Sequence, residues 1–577
     1  MNAFGDLLKI YAERNPNGVS VVYGDRRLSW KDIHERTNRL ANALYDLGLR
    51  KGDKGAVMLH NCPEFIEATC AMQKIGVIPS PLNYRFVASD IEFQVNHSDA
   101  KVFFFEDLWM EEVEKALPAL TNVKHLVKLG PVPEGMLSYE DLLARGSAAD
   151  PPVEVSPEDV ASLIYTGGTT GLPKGVVTTY ASYMEHFNGV LSALVALLPT
   201  VRIPAIKLPM RGGQALGKLL GSKAPNWLLH RPPVQRFMQE KAPGPAIKLL
   251  KWGRGRSGLA LKWLCVPPLF HMASFGVIME SNWIQSGLFP MVLTENPRFD
   301  AQEVLELIDR EHPSCIWMVP TMWKKLLELP GLEKHDFGSL LLLATGAGVC
   351  TAELKAQILN HFRNGLLLDA FGQTEMTPIA TLKVDSEVDK LRDRSVGRSL
   401  PGLQIRVVDE EGKDVPRGDI GEIIYHSEWI MRGYYKEEKK TSEVIKDGWF
   451  YSGDLGYFDE DGEVKVAERK KEVISTGGEK IFPQEVEEIL EQHPAVEHAC
   501  LIGIPDDLYG SIPRAVLQLK PGVSTTEEEI IEWCRGKMVG FKRPKSVIFA
   551  EELPLNPVGK VQRAAVKDDF GARVFGA

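Results

Sequence analysis

The chain has little of what would place it outside a cell or across a membrane. Its seven cysteines in 577 residues (Cys62, Cys70, Cys265, Cys315, Cys350, Cys500 and Cys534) include no C-x-x-C pair. That spacing argues against a disulfide framework or a zinc ribbon and fits a reducing cytosol. Long hydrophobic runs are missing too, since the longest, such as residues 189–198, fall well short of the ~20 residues needed to span a bilayer. The start, MNAFGDLLKIYAERNP, is amphipathic instead of basic and then apolar, so no secretory signal is expected. Neither an internal repeat nor a low-complexity tract is present, which excludes solenoids and disordered arrays. What remains is 44% hydrophobic and 25% charged, the balance of a soluble globular protein too long for one ordinary domain.

Periodicity predicts an α/β fold. In DIHERTNRLANALYDLG, Ile33, Leu40, Leu44 and Leu47 recur at helical spacing and Gly48 stands where a C-cap belongs. GAVMLHN reads as a strand, Pro63 through Lys74 as a helix and GVIPSPLN as the next strand, the alternation of a parallel sheet covered by helices. From residue 395 to 454, Gly-punctuated strands such as LQIRVVDEEG and GEIIYHS predict a small antiparallel β subdomain. Beyond Arg469, short strands at 472–476 and 480–482 flank a Gly477-Gly478 turn, and PQEVEEILEQHP puts Val486, Ile489 and Leu490 on one helix face. The expected division is a large domain over 1–470 and a smaller mobile α/β domain over 471–577.

One segment departs in charge. Residues 200–262 hold thirteen Lys or Arg against Glu240 alone, a local charge of +12 in a chain of net charge −10. The rest of the chain therefore carries −22. The segment is rich in Pro and Gly and contains Trp227 and Trp252.

The stretch YTGGTTGLPKGV, residues 165–176, carries the most chemical information. Its four glycines let backbone N–H groups converge on an anion, Thr166, Thr169 and Thr170 add hydroxyl donors, and Lys174 supplies a point charge. It reads as a phosphate-binding loop. A Walker loop would set its lysine after glycine and before Ser or Thr, whereas Lys174 lies between Pro173 and Gly175. In DAFGQTEMTP, Phe371 offers a flat face and Gly372 lets the backbone close in, which suits a stacked base. In YSGDLGYFDEDG, Asp454 sits on a tight turn where a carboxylate can accept from two ribose hydroxyls.

In this order the motifs resemble the adenylate-forming superfamily of acyl-CoA synthetases, adenylation domains and luciferases, most closely a bacterial fatty acid–CoA ligase. Gly167 stands where many members carry Ser, a variant found in bacterial long-chain fatty acid ligases. The resemblance implies ATP/AMP binding by Thr166, Gly167, Gly168, Thr169, Thr170, Gly171 and Lys174, by the turn Gly346, Ala347, Gly348, and by Asp369, Ala370, Phe371, Gly372, Gln373 and Thr374. It likewise implies ribose binding by Asp454 with Arg469, a nucleotide contact at Val466, and magnesium at Glu375. His271 would close the inner end of a pantetheine tunnel, and Ser475, Thr476, Gly477 and Gly478 would line that tunnel for coenzyme A. Lys471 matches the hinge of the small domain, and Lys560, in LPLNPVGKVQR, matches the catalytic lysine.

The implied activity is ATP-dependent formation of an acyl-CoA thioester through an acyl-adenylate, with ATP, Mg2+ and coenzyme A. A medium- or long-chain fatty acid is the expected substrate, because Trp317 and Met318 add apolar lining, Gly346 and Gly348 leave space, and the matched segments offer no cation for a second carboxylate. Aromatic or alicyclic acids are the alternative, as is loading of a carrier protein, which the end of the chain soon after Lys560 disfavours. A luciferase-type oxidase and a degenerate scaffold fit less well, since Lys560 and Glu375 are both present. Residues 200–262 lengthen the family's usual path from phosphate loop to His271 and read as an insertion, either a solvated excursion or a contact with an anionic membrane face. No nucleic-acid partner is expected.

Overall fold

The computed structural model describes residues 4–168, 171–197, 231, 245, 261–287, 289–391, 395–476, 479–506, 508–535, 537–555 and 561–571. The chain divides into two compact units. One comprises Met1–Gly167, Leu172–Gln404 and His426–Phe450, the other Gly168–Gly171, Ile405–Tyr425 and Tyr451–Ala577.

In the first unit, helix Trp30–Asp46 starts at a capping box in which Ser29 and Asp32 satisfy each other's backbone N–H. It buries Ile33, Leu40 and Leu44, and the chain leaves it through Gly48 at φ +93°, where a side chain would be strained. Strand Lys54–Met58, helix Pro63–Lys74 with proline in its first turn, and strand Ile78–Pro81 follow as the periodicity predicts. They belong to a five-stranded parallel sheet ordered Ile78–Pro81, Lys54–Met58, Ala100–Glu106, His125–Leu129, Leu137–Ser138. Phe103, Phe104 and Phe105 are all buried, because a parallel strand covered on both faces needs an unbroken apolar run instead of alternation.

A second, nine-stranded sheet positions the chemistry. Its order is Arg398–Ser399, Ile379–Asp385, Leu366–Gly372, Leu342–Gly346, Cys315–Trp317, Trp263–Cys265, Met291–Leu293, Val19–Tyr23, Arg26–Ser29. The run from Leu366–Gly372 to Val19–Tyr23 is parallel throughout. The loops leaving Trp263–Cys265, Cys315–Trp317, Leu342–Gly346 and Leu366–Gly372 therefore open at one sheet edge, where ligands bind in open α/β sheets.

Behind that edge runs a π-helical segment, Ala273–Ser286. Glu280 within it is fully buried and its Oε1 accepts from Gln73 Nε2 at 2.7 Å. Among the described residues neither Glu280 Oε2 nor Gln73 Oε1 has a partner, and burial pushes the Glu280 carboxyl up from 4.5 to about 8. The folded protein thus keeps a proton that the unfolded chain releases above its ordinary carboxylate range. Stability from this group is full below about pH 4.5 and falls as pH rises toward about 8. Replacing Glu280 with Gln, which is neutral at every pH, is expected to flatten that fall, as thermal melts of both proteins from about pH 5 to 9 would show.

The second unit holds most of a five-stranded sheet, in which Val464–Arg469 pairs antiparallel with Trp449–Phe458. Gln404–Val408, Gly421–His426, Trp449–Phe458 and Val464–Arg469 lie in that order, matching the expected β subdomain. The hairpin Ile474–Thr476 and Glu479–Ile481 follows. Then Val496–Asp506, Gly510–Leu519 and Ser546–Ala550 form a three-stranded sheet. Helix Pro483–Glu491 buries Val486 and Leu490 against this part of the unit.

Candidate active site

Strands Val160–Gly168 and Gly171–Thr179 bracket Thr169 and Thr170, which themselves lie outside the described residues. A third strand, Gly433–Tyr434, pairs antiparallel with the second, Tyr434 opposite Val176 and Gly433 opposite Val177. This pairing brings Tyr434 to Lys174, whose Nζ sits 4.7 Å from the centre of the tyrosine ring. The Tyr434 hydroxyl in turn donates to Glu375 Oε1 at 2.7 Å. The phosphate-loop cation and the expected metal carboxylate thus share one aromatic side chain.

At the adjoining sheet edge, Gly346 lies in register with Ala370. A Cβ at Gly346 would come within 2.5 Å of the Ala370 carbonyl and 3.2 Å of the Trp317 ring, so only glycine allows the two strand ends this approach. The turn continues through Ala347 at φ +60° to Gly348. Gly372 is similarly constrained, since a Cβ there would stand 2.0 Å from the Pro378 carbonyl. Phe371, Gly372, Gln373 and Thr374 are partly exposed in sequence, and Glu375 is buried behind them. Asp369 Oδ2 lies 2.5 Å from Lys355 Nζ in a buried ion pair, with Asp385 3.6 Å from the same lysine.

The buried polar atoms of this unit without a partner among the described residues include Trp317 Nε1, Gln373 Nε2 and His271 Nε2, which lie on segments ending at this sheet edge. At a sheet edge such atoms can be satisfied by a bound ligand or by water. His271 follows strand Trp263–Cys265 and packs against Phe270 at 4.4 Å between ring centres. Burial first, and Arg85 second, lower it from 6.5 to about 4. It is a neutral imidazole at physiological pH.

In the second unit, Asp454 is buried and pairs in register with Arg469 on the neighbouring strand, Oδ1 to Nε 2.7 Å. Gly453 at φ +73° makes the turn before it, and Ser452 Oγ accepts from the Asp454 N–H at 3.0 Å. Val466 stands opposite Gly456. Lys470 and Lys471 are exposed, and the Glu472 N–H closes back onto the Arg469 carbonyl at 2.9 Å. Ser475 is exposed and Thr476 buried, while Gly477, Gly478 and Lys560 lie outside the described residues. The chain on either side of Lys560 is pinned, however, by a bridge between Leu555 and Val561 and by the Gln562 N–H on the Pro554 carbonyl at 2.8 Å. The basic stretch 200–262 also lies outside the description apart from residues 231, 245, 261 and 262.

No cluster of three or more His, Cys, Asp or Glu that could hold a metal exists among the described residues. The single carboxylate of Glu375 nonetheless fits magnesium, which takes one or two carboxylates and completes its shell with waters and substrate phosphates. Two partners escaped the sequence reading. Tyr434, in MRGYYK, gives no local sign that its hydroxyl meets a carboxylate 59 residues earlier, and Lys355 looks like any surface lysine of an amphipathic helix.

The AMP-binding enzyme family matches residues 8–200 and 247–435, and the AMP-binding enzyme C-terminal domain matches residues 485–560. Residues 201–246, the greater part of the basic segment, fall between the matches. Among curated relatives, the 2-succinylbenzoate–CoA ligase of Bacillus licheniformis is 29% identical, covering 96% of this chain and 98% of its own. The feruloyl-CoA synthase of an Amycolatopsis species is 28% identical with 97% of each covered. A long-chain-fatty-acid–CoA ligase of Bacillus subtilis is 27% identical, with 98% and 94% covered. In fold the chain resembles an anthranilate CoA ligase solved with anthranoyl-AMP, at a TM-score of 0.78 and 24% identity over 99% of this chain and 97% of that one. The chain belongs to the AMP-binding enzyme family and is an acyl-CoA ligase that works with ATP, Mg2+ and coenzyme A.

Proposed function

We propose that the acid activated is a medium- or long-chain fatty acid. The observation that carries this reading is the chemistry of the sheet edge: residues 263–275, 315–323, 342–350 and 366–378 contain no Lys or Arg. A dicarboxylic substrate would need a cation to hold its second charge, whereas an alkyl chain needs only apolar wall, and Trp317 and Met318 are buried there.

A carboxylate is a poor electrophile, and adenylation turns its oxygen into a leaving group. In this reading one carboxylate oxygen attacks the α-phosphorus while Thr169, Thr170 and Lys174 hold the departing pyrophosphate and Lys560 bridges the two repelling anions. Asp454 and Arg469 fix the ribose. Glu375 would hold the magnesium, which when bound would offset phosphate charge. The small domain then turns about Lys471, taking Lys560 away and bringing Ser475–Gly478 to the thiol path beside neutral His271. The coenzyme A thiol attacks the mixed anhydride, its proton leaves, and AMP departs. Pyrophosphate release measured over octanoate, palmitate, benzoate, 4-coumarate and 2-succinylbenzoate, with and without coenzyme A, tests the assignment. Turnover is expected to be highest on the alkyl acids, and a preference for any ring acid would overturn it.

We also read the basic segment as a peripheral anchor for a cytoplasmic enzyme on an anionic membrane face. No described helix is long and apolar enough to cross a bilayer, but each Lys or Arg near such a surface contributes about 1 kcal/mol. Half of the thirteen charges would hold the protein reversibly, close to where fatty acids partition. The purified protein should co-sediment with anionic but not neutral vesicles, and salt should release it. Deletion of residues 200–262 should abolish binding while sparing turnover of a soluble short acid, and equal binding to both vesicle types would refute the anchor.

A further inference from the structure

The segment 429–435 ties two parts of the site together through backbone contacts. At one end, the Trp429 carbonyl accepts from Thr377 Oγ1 at 2.6 Å, and the Met431 N–H donates to the Glu375 carbonyl at 2.8 Å. At the other, the Arg432 N–H meets the Val177 carbonyl at 2.9 Å and the Tyr435 N–H meets Gly175 at 2.8 Å. Between these ends stands Tyr434, only 8% exposed. Its own N–H donates to Thr441 Oγ1 at 2.9 Å, and a Cβ on the preceding Gly433 would strike the Thr441 side chain at 2.9 Å. The ring has little freedom to move.

We infer that Tyr434 is a positioning residue of the adenylation step, holding the Glu375 carboxylate by its hydroxyl and the Lys174 ammonium by its ring face. This rests on the reading of Glu375 as the magnesium carboxylate. The chemistry favours such a device. A direct ion pair between Lys174 and Glu375 would cancel the cation needed by phosphate and the anion needed by metal. A neutral ring satisfies both partners without neutralising either. The hydroxyl engages Oε1 and so fixes the carboxylate plane before ATP arrives.

Tyr434→Phe keeps the ring and removes only the hydroxyl. The Mg2+ concentration giving half-maximal pyrophosphate release is expected to rise roughly tenfold, the loss of one hydrogen bond to a charged group. Thioesterification of supplied octanoyl-adenylate should stay within about twofold of the native rate. Tyr434→Leu should in addition raise KM for ATP severalfold, since Lys174 loses its ring. Glu375→Gln should itself weaken the Mg2+ dependence, and adding Tyr434→Phe to it should change that dependence no further. If Glu375→Gln shifts the Mg2+ curve and Tyr434→Phe does not, the positioning role is overturned and the metal reading stands. If Glu375→Gln leaves the curve unmoved, the metal reading fails and this one with it. Loss of thioesterification in Tyr434→Phe, or additive losses in the double variant, would mean that the tyrosine serves only the fold.

Discussion

Replacing Lys560 with Ala is expected to lower acyl-adenylate formation by about 10²–10³, the usual cost of deleting one group aimed at developing charge. Thioesterification of a supplied acyl-adenylate should remain near native. The asymmetry follows from where the charge is needed. In the first half-reaction a carboxylate approaches an α-phosphate, and one cation between the two sets of oxygens converts repulsion into attraction; in the second, the nucleophile is a thiol and the electrophile an anhydride already formed. Lys560→Arg should rescue poorly, because a planar fork does not occupy the place of a compact ammonium. Rapid-quench measurement of each half-reaction decides the matter, and equal loss in both would remove Lys560 from this role.

The second large effect is expected from Lys471→Pro, with adenylation within about threefold of native and thioesterification reduced by about 100-fold or more. Proline fixes φ and removes an N–H, and it also narrows the conformations open to Lys470. The surroundings favour a pivot here. Lys470 and Lys471 are exposed, whereas the residues beyond them are bound into one body: Arg563 pairs with both Glu472 and Glu487 and donates to the Leu501 carbonyl at 2.8 Å. Contacts across the pivot include the Glu472 N–H on the Arg469 carbonyl at 2.9 Å and, capping helix Pro483–Glu491, the Gln484 N–H donating to Glu468 Oε2 at 2.8 Å. Rotation has to break that cap, and a chain locked at Lys471 keeps it. Single-turnover assays of both steps check the pattern, and an enzyme unaffected in either would refute the pivot.

Much of this architecture could be read from residues alone, and the reasons are local. Helix Pro63–Lys74 announces itself by its proline start, Trp30–Asp46 by its apolar spacing and Gly48 beyond its end, and hairpin Ile474–Ile481 by its glycine turn. These signals are written in neighbouring residues. The π-helical run Ala273–Ser286 was invisible, because its side chains are buried nearly all round and leave no period to detect. The Asp369–Lys355 pair was likewise hidden, because a lysine on helix Ala352–His361 gives no local sign of a buried partner fourteen residues on. The roles given to Lys560, Lys471 and the Ser475–Gly478 turn came from family resemblance, and the predictions above put them to the test.

The strap formed by residues 429–435 also bears on how the protein matures. It joins strand Gly171–Thr179 to the Glu375 turn, pieces separated in the chain by about two hundred residues, so these contacts require three distant segments of the first unit to come together. Long-range contacts of this kind are slow to gather and tend to come late in folding. A chain halted partway through synthesis or assembly, with its helices and local strands already present, would have phosphate loop and carboxylate far apart and no grip on ATP. On the proposed reading of Lys174 and Glu375, nucleotide affinity is expected to appear only once the strap has closed.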